Sequence, residues 1–388
     1  MSRAAANSRF VLVDASAGYV PGGGIGRYVR DLTHALRTIQ GAPPARFLAT
    51  RNLREIARER FRPEEVVELP VTWRQLAALL MAGTTFGIPF DAFYHRPALV
   101  HSPLGYGPTF HRARLLNHIH DLTCIEHPEW HTLRTRMLFT VAAPRAARAA
   151  DMVLSHSEYV RQQVVREFGV RPDRTIVIPP PLGHGFTPLS TPDARAHVSR
   201  RFGIDGDFVL HVGTLEPRKN HVTLVAAFER LCKDGFPGPL VLVGQDGWKF
   251  GAIGERLASS PVANRIVRVR DADDHDLTAL YGACTCSAFP SLAEGFGMPL
   301  LESMACGAAC VISDHPVLVE LGRSDCVAVP ATDADAMADA LRRLWREPDH
   351  RAAIAAGGPA RAQEYAFPRW AGRIFTLYRE LLALGERT

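Results

Sequence analysis

Short, uninterrupted apolar runs constrain this chain more than any other feature. Residues 9–14 read Arg-Phe-Val-Leu-Val-Asp, and comparable runs recur at residues 98–102, 115–119, 152–155, 175–178, 208–212, 240–243, 266–269, 284–289 and 309–313. A strand that is apolar at consecutive positions is covered on both faces, as in a parallel sheet flanked by helices. Helical spacing appears between the runs, for example at Val29, Leu32 and Leu36. Strands alternating with helices predict an α/β protein, and 388 residues exceed the usual size of one core. The expected architecture is therefore two doubly wound parallel-sheet domains facing a cleft, residues 1–185 and 186–367. A last helix from residue 368 follows.

Composition narrows the class. Apolar content of 47% and charged content of 22% are ordinary for a soluble globular chain. Residues 1–185 hold 23 arginines and no lysine against 15 acidic side chains, whereas the whole chain carries only +5. A basic first half suits an anionic partner such as a lipid diphosphate, a membrane surface or a charged glycan, unless the arginines reflect codon usage. No nucleic-acid partner is expected. No run reaches the roughly 18 apolar residues of a membrane span, and the first residues lack a basic-then-apolar leader, so a cytoplasmic chain is expected. Residues 71–97 place Trp73, Leu76, Leu79, Leu80 and Met81 on a helix, followed by Phe86, Ile88, Phe90 and Phe93. This reads either as a helix packed on the sheet or as a peripheral contact with the inner face of a membrane. The seven cysteines show no C-x-x-C spacing and read as buried thiols.

The loops after the strands carry the chemistry. Gly23 and Gly24 lie in a glycine run between the first strand and a helix, an arrangement that brings amides close to a phosphate or sugar. The spacing is not G-x-G-x-x-G, which argues against a nicotinamide cofactor. His120-Asp121 closes another strand, where open α/β sheets bind ligands. Gly213 opens Gly-Thr-Leu-Glu-Pro-Arg-Lys-Asn, in which Arg218 supplies a guanidinium fork and Lys219 a point charge suited to a diphosphate. Gly244 follows the next strand and Arg270 the one after. In residues 289–307, Glu294-Gly295-Phe296-Gly297-Met298 runs into a helix with Pro299 in its first turn. Amides and helix dipole there form a cup for phosphate oxygens, with the Glu302 carboxylate expected at its mouth.

The run F-P-S-L-A-E-G-F-G-M-P-L-L-E-S-M-A-C-G resembles the signature of retaining, nucleotide-sugar-dependent glycosyltransferases of family four, mannosyltransferase-like members included. The segments H-D-L-T-C-I-E-H-P-E-W-H, G-T-L-E-P-R-K-N and G-Q-D-G-W resemble the same family. The resemblance covers nearly the whole chain and implies the GT-B fold, with the last helix crossing back onto the first domain. It implies transfer of a hexose, mannose from GDP in particular, to a hydroxyl acceptor with retention of configuration. His120 and Asp121 would serve the transferred sugar, Arg218 and Lys219 the leaving diphosphate, Glu294 the hexose and Glu302 the ribose. Gly23, Gly24, Gly213, Gly244, Arg270, Gly295, Phe296, Gly297 and Met298 would complete the donor site. No cofactor is expected, and no metal, because no D-x-D triplet suited to Mg²⁺ stands beside Arg218. Replacing Arg218 by alanine is expected to lower turnover far more than stability. Two features depart from the family pattern: the Pro179-Pro180-Pro181 connector, and Arg270-Asp271 where relatives commonly have glycine. A nucleotide-sugar epimerase of the same architecture and a catalytically silent sugar-nucleotide scaffold are the alternative readings.

Overall fold

The structure is a computed structural model describing residues 9–19, 23–86, 88, 90–91, 93–107 and 110–387. Two compact units are present: Met1–Pro181 together with Pro368–Thr388, and Leu182–Phe367. We call them the N-terminal and C-terminal units.

In the N-terminal unit seven parallel strands run β1 (Val11–Asp14), β2 (Ala45–Thr50), β3 (Val66–Leu69), β4 (Leu99–Ser102), β5 (Arg114–Ile119), β6 (Met152–Ser155) and β7 (Thr175–Val177). Their order in the sheet is β3-β2-β1-β4-β5-β6-β7. The C-terminal unit holds β8 (Val209–Val212), β9 (Leu240–Val243), β10 (Ile266–Val269), β11 (Cys286–Phe289), β12 (Cys310–Ser313) and β13 (Val327–Val329). Their order is β10-β9-β8-β11-β12-β13. Strand order reverses between β1 and β4 and again between β8 and β11. Loops leaving the carboxyl ends at such a point diverge and open a crevice. The glycine loop follows β1, and the Arg218–Lys219 loop follows β8.

The apolar runs do what two-sided burial requires. Leu210 and Val212 enter one core of the C-terminal unit while Val209 enters the core on the opposite face. Each fully buried valine or leucine contributes about 1.5–3 kcal/mol. Helix ends follow local chemistry. Ser157 caps Glu158–Phe168, and Gly169, at φ 64°, closes it in the left-handed conformation that glycine tolerates best.

Apolar spacing predicts one continuous helix over residues 132–150 and another over 349–364, and both are interrupted. Residues 132–150 form Leu133–Met137, a π turn at Leu138–Ala142, and Ala143–Ala149. Pro144 lacks an N–H and its ring crowds the preceding turn, so the ladder loosens there. Residues 349–364 split into Pro348–Ala355 and Gly358–Ala362. A Cβ at Gly357 would fall 2.2 Å from Asp325 Oδ1, on a carboxylate that Arg361 holds, so the site favours glycine, whose backbone freedom weakens the helix there. The helix starting at Phe367 docks within the N-terminal unit, where the Tyr378 hydroxyl lies 2.6 Å from His101 Nδ1 and Arg373 Nη2 donates to the Val177 carbonyl at 2.6 Å.

No described helix is long and apolar enough to cross a membrane. In Trp73–Phe86, Leu76 is buried and Leu79 exposed, while Trp73, Leu80, Met81 and Phe86 have side chains outside the described residues. Leu133, Met137 and Val141 recur at a spacing of four and are 70%, 50% and 39% exposed, a stripe of apolar surface on the N-terminal unit.

Candidate active site

In the C-terminal unit the loops after β8 and β11 are laced together. The Leu292 amide donates to the Arg218 carbonyl at 2.7 Å, and Asn220 Nδ2 donates to the carbonyls of Pro290 (3.1 Å) and Ala331 (2.7 Å). Asn220 is left-handed, φ 56°, and stands at the start of His221–Lys233. Asparagine tolerates that conformation better than most residues.

These ties converge four charged side chains. Glu294 accepts from Lys219 Nζ at 2.5 Å, from Ser291 Oγ at 2.7 Å and from Arg218 Nη1 at 2.8 Å. Arg218 also pairs through Nε with Glu216, which is 1% exposed. The structure thus unites Arg218, Lys219 and Glu294 and adds Glu216, whose place two residues before Arg218 was the only sequence signal for it. Burial pushes the Glu294 carboxyl up, but the Lys219 ammonium and then the Arg218 guanidinium outweigh it and hold the group down at about 2. Burial pulls the Lys219 ammonium down and Arg218 adds to that. For Glu216, burial dominates and raises the carboxyl.

A pH dependence follows from Glu294. Its folded value lies below the ordinary 4.5, so the stabilisation is complete above about 4.5 and is lost as pH falls toward about 2. The interval corresponds to about 3 kcal/mol. Denaturant unfolding between about pH 5 and pH 2 should give wild type a steeper loss of stability than Glu294→Gln; parallel curves would refute the ion-pair assignment.

The remaining donor-side residues are placed as follows. Gly297, at φ 98°, precedes Met298–Ala305, and a side chain there would meet Leu318 Cδ2 at 2.8 Å. The left-handed backbone therefore favours glycine here whatever binds in front of it. Phe296 is 7% exposed and packs edge-on against Tyr365, centroids 5.5 Å apart, so its ring belongs to the core. Gly295 and Met298 are half-buried beside it. Glu302 is 3% exposed, and its charge helps raise the Tyr281 hydroxyl and the Cys306 thiol, after the larger effect of burial. Its side chain is thus buried rather than solvated. Gly213 lies beneath the Lys219 stem, where a Cβ would stand 3.6 Å from Lys219 Cε. Gly244 owes its identity to Gly213, whose carbonyl oxygen would lie 2.2 Å from a Cβ there. Arg270 is exposed and pairs with Asp246 at 2.9 Å, and Arg268 reaches the other Asp246 oxygen at 2.7 Å. Arg270 is thereby held at the rim by an acid.

In the N-terminal unit Gly23 precedes the helix Gly24–Thr38, and both Gly23 and Gly24 are exposed with open space where a Cβ would stand. Pro21 and Gly22 lie outside the described residues. Asp121 Oδ1 accepts from the Thr123 amide (3.0 Å) and hydroxyl (2.7 Å), which fixes the turn after β5. His120 Nε2 lies 2.7 Å from the Pro103 carbonyl and its Nδ1 3.0 Å from His156 Nε2. Burial lowers the His120 ring to about 4 and holds His118 and His156 well below the ordinary range. The rings are neutral near pH 7. His118 and His156 carried no sequence assignment, although His118-x-His120 has the spacing that puts two side chains on one face of a strand.

Comparison with known proteins places these features. Residues 22–182 match the family model Glycosyltransferase Family 4, and residues 196–361 match Glycosyl transferases group 1. The O-antigen chain mannosyltransferase B of Escherichia coli is 26% identical over 290 residues, 74% of this chain and 75% of that protein. The D-inositol 3-phosphate glycosyltransferase of Acidothermus cellulolyticus is 32% identical over 250 residues, 61% of this chain and 54% of that protein. The crystal structure of Anabaena Alr3699/HepE in complex with UDP and glucose superposes with a TM-score of 0.72 at 19% identity, covering 96% of this chain and all of that one. One family match falls on each sheet-bearing unit, and the chain belongs to the GT-B glycosyltransferases, with a Glycosyltransferase Family 4 domain followed by a Glycosyl transferases group 1 domain.

Proposed function

We propose that this glycosyltransferase moves a hexose, mannose in particular, from a nucleoside diphosphate sugar, GDP-mannose, to a hydroxyl of a glycan, a lipid-linked sugar or a small molecule, with retention of configuration. The observation that carries the reading is the Arg218–Lys219–Glu294–Glu216 cluster at the β8 and β11 loop ends. The name of the Escherichia coli relative supports mannose. In this reading residues 186–367 hold the donor, residues 1–185 offer the acceptor, and the helix from residue 368 belongs with the latter.

As the sugar–phosphate bond breaks, negative charge grows on the diphosphate. Arg218 and Lys219 meet that charge, and Glu216 and Glu294 hold them in place beforehand, so little reorganisation is needed at the moment of reaction. A preorganised pair of cations supplies the electrostatics that a divalent ion supplies elsewhere. The acceptor hydroxyl attacks on the face the leaving group vacates, and the departing phosphate oxygen takes its proton. His120 Nε2–H bonds a sugar hydroxyl by exchanging the Pro103 carbonyl for it. Glu302 serves the ribose, and the amides near Gly297 serve the diphosphate. The apolar stripe of Leu133, Met137 and Val141 supports peripheral contact with an anionic membrane that carries the acceptor.

A panel of GDP- and UDP-sugars, offered with a soluble extract or with anionic vesicles loaded with a lipid extract, tests the reading. GDP release with GDP-mannose, raised by acceptor, is the expected result. Turnover confined to UDP-sugars would reject the donor. Conversion of the donor without transfer would favour the epimerase.

A further inference from the structure

The histidines of the N-terminal unit do more than surround His120. His118 lies in β5 and His120 one residue beyond it, so the two side chains leave the same face of the sheet. Ile119 pairs with Ser155 of β6, which sets His156 alongside His120. Ligand nitrogens of His118, His120 and His156 all lie within 4.8 Å of one another.

Counting protons sharpens the point. A carbonyl oxygen only accepts, so His120 Nε2 must carry hydrogen toward Pro103 and His156 Nδ1 must carry hydrogen toward Ile178, 3.1 Å away. Two neutral imidazoles hold one N–H each. Both are thereby committed, and His120 Nδ1 faces His156 Nε2 across 3.0 Å with a lone pair on either side. Some electron-pair acceptor belongs between them. His118 adds a second, independent observation: the side chain is fully buried and, among the described residues, neither ring nitrogen has a partner. Such groups are rare because burying an unpaired polar atom is costly.

We propose that His118, His120 and His156 form a three-histidine site for Zn²⁺ or a similar late first-row divalent ion. Two nitrogens on one tetrahedral zinc stand about 3.3 Å apart, close to the 3.0 Å present. The N–H bonds to Pro103 and Ile178 are the outer-shell contacts that fix the tautomer of metal-bound histidines. His118 stacks on His120, centroids 4.0 Å apart, so ligation requires the His118 ring to turn. With neither nitrogen bonded among the described residues, it gives up no hydrogen bond to them in doing so. The ion joins β5 to β6 and leaves His120 Nε2–H pointing away from it. The other three-ligand group among the described residues, His197, His275 and Asp276, differs because Asp276 is already engaged by His197 at 2.7 Å and by the Asp273 amide, and His275 is exposed.

Full-length protein treated with chelator and titrated with Co²⁺ tests the site. One equivalent should bind with the visible absorption of a tetrahedral nitrogen site, and Zn²⁺ should displace it and raise the melting temperature. His118→Ala and His156→Asn should abolish the absorption, while His197→Ala keeps it. Should the two variants fail to fold, histidine nitrogen NMR of wild type decides: Zn²⁺ must shift His120 Nδ1 and His156 Nε2. Wild type that binds no Co²⁺, or in which a single proton bridges the two nitrogens and Zn²⁺ changes nothing, overturns the proposal. None of these readouts depends on donor identity or on His120 touching the sugar.

Discussion

Lys219→Met should lower turnover by about 10²–10³-fold, the loss typical when one preorganised donor to a developing anion is removed. The same change removes the main counter-charge of Glu294, which is 8% exposed. Breaking a buried pair from one side costs about 3–5 kcal/mol, so stability should fall as well. Adding Glu294→Gln separates the effects. The double variant has no orphaned carboxylate and Arg218 retains Glu216, so its melting temperature should recover while its turnover stays low. Recovery of both would reduce Lys219 to a structural partner. The same arithmetic revises the expectation for Arg218→Ala. Because Arg218 pairs with two buried carboxylates, that variant should lose stability along with activity.

Gly244→Ala should lower the melting temperature of the C-terminal unit by roughly 10 °C. Gly244 has φ 145°, in a region that side chains disfavour, and a Cβ there would lie 2.2 Å from the Gly213 carbonyl oxygen and 2.8 Å from its carbon. Backbone cannot step aside cheaply. The Gly213 amide bonds Val243 and the Gly244 amide bonds Val269, both at 2.9 Å, so separation breaks the ends of the β8–β9–β10 ladder. Overpacking and backbone strain each cost about 1–3 kcal/mol, or about 3 kcal/mol and more together. A 1 kcal/mol loss lowers the melting temperature of a domain this size by about 2–4 °C. Calorimetry should resolve the shift, and an unchanged transition would mean that the strand ends are not held as described.

Much of the site was legible because it is local. Arg218 and Lys219 are adjacent in a strand-to-helix turn, and Gly297 with Pro299 announces the helix that begins at Met298. Glu294, Arg218 and Lys219 each read as site residues, but their pairing did not, since Lys219 lies 75 residues from Glu294. Phe296 and Glu302 look alike in a motif whether they face a ligand or the core. Burial of the Phe296 ring against Tyr365 and of the Glu302 side chain emerges only in the folded unit. Pro144 and Gly357 were visible, yet a continuous helix was expected through each, because helical spacing of apolar residues survives a π turn or a short break.

Two-sided apolar runs separated by helices already require parallel sheets covered on both faces, because no other arrangement buries every residue of such strands. Periodicity and turn chemistry act over a few residues and can be read from order alone. Which strands become neighbours cannot. The β5–β6 register brings His120 to His156 across 36 residues, and the lacing of the β8 and β11 loops surrounds two cations with two buried acids. Tertiary structure decided the charge balance of the cluster and the convergence of the histidines, since both arise from contacts between segments that the chain itself keeps far apart.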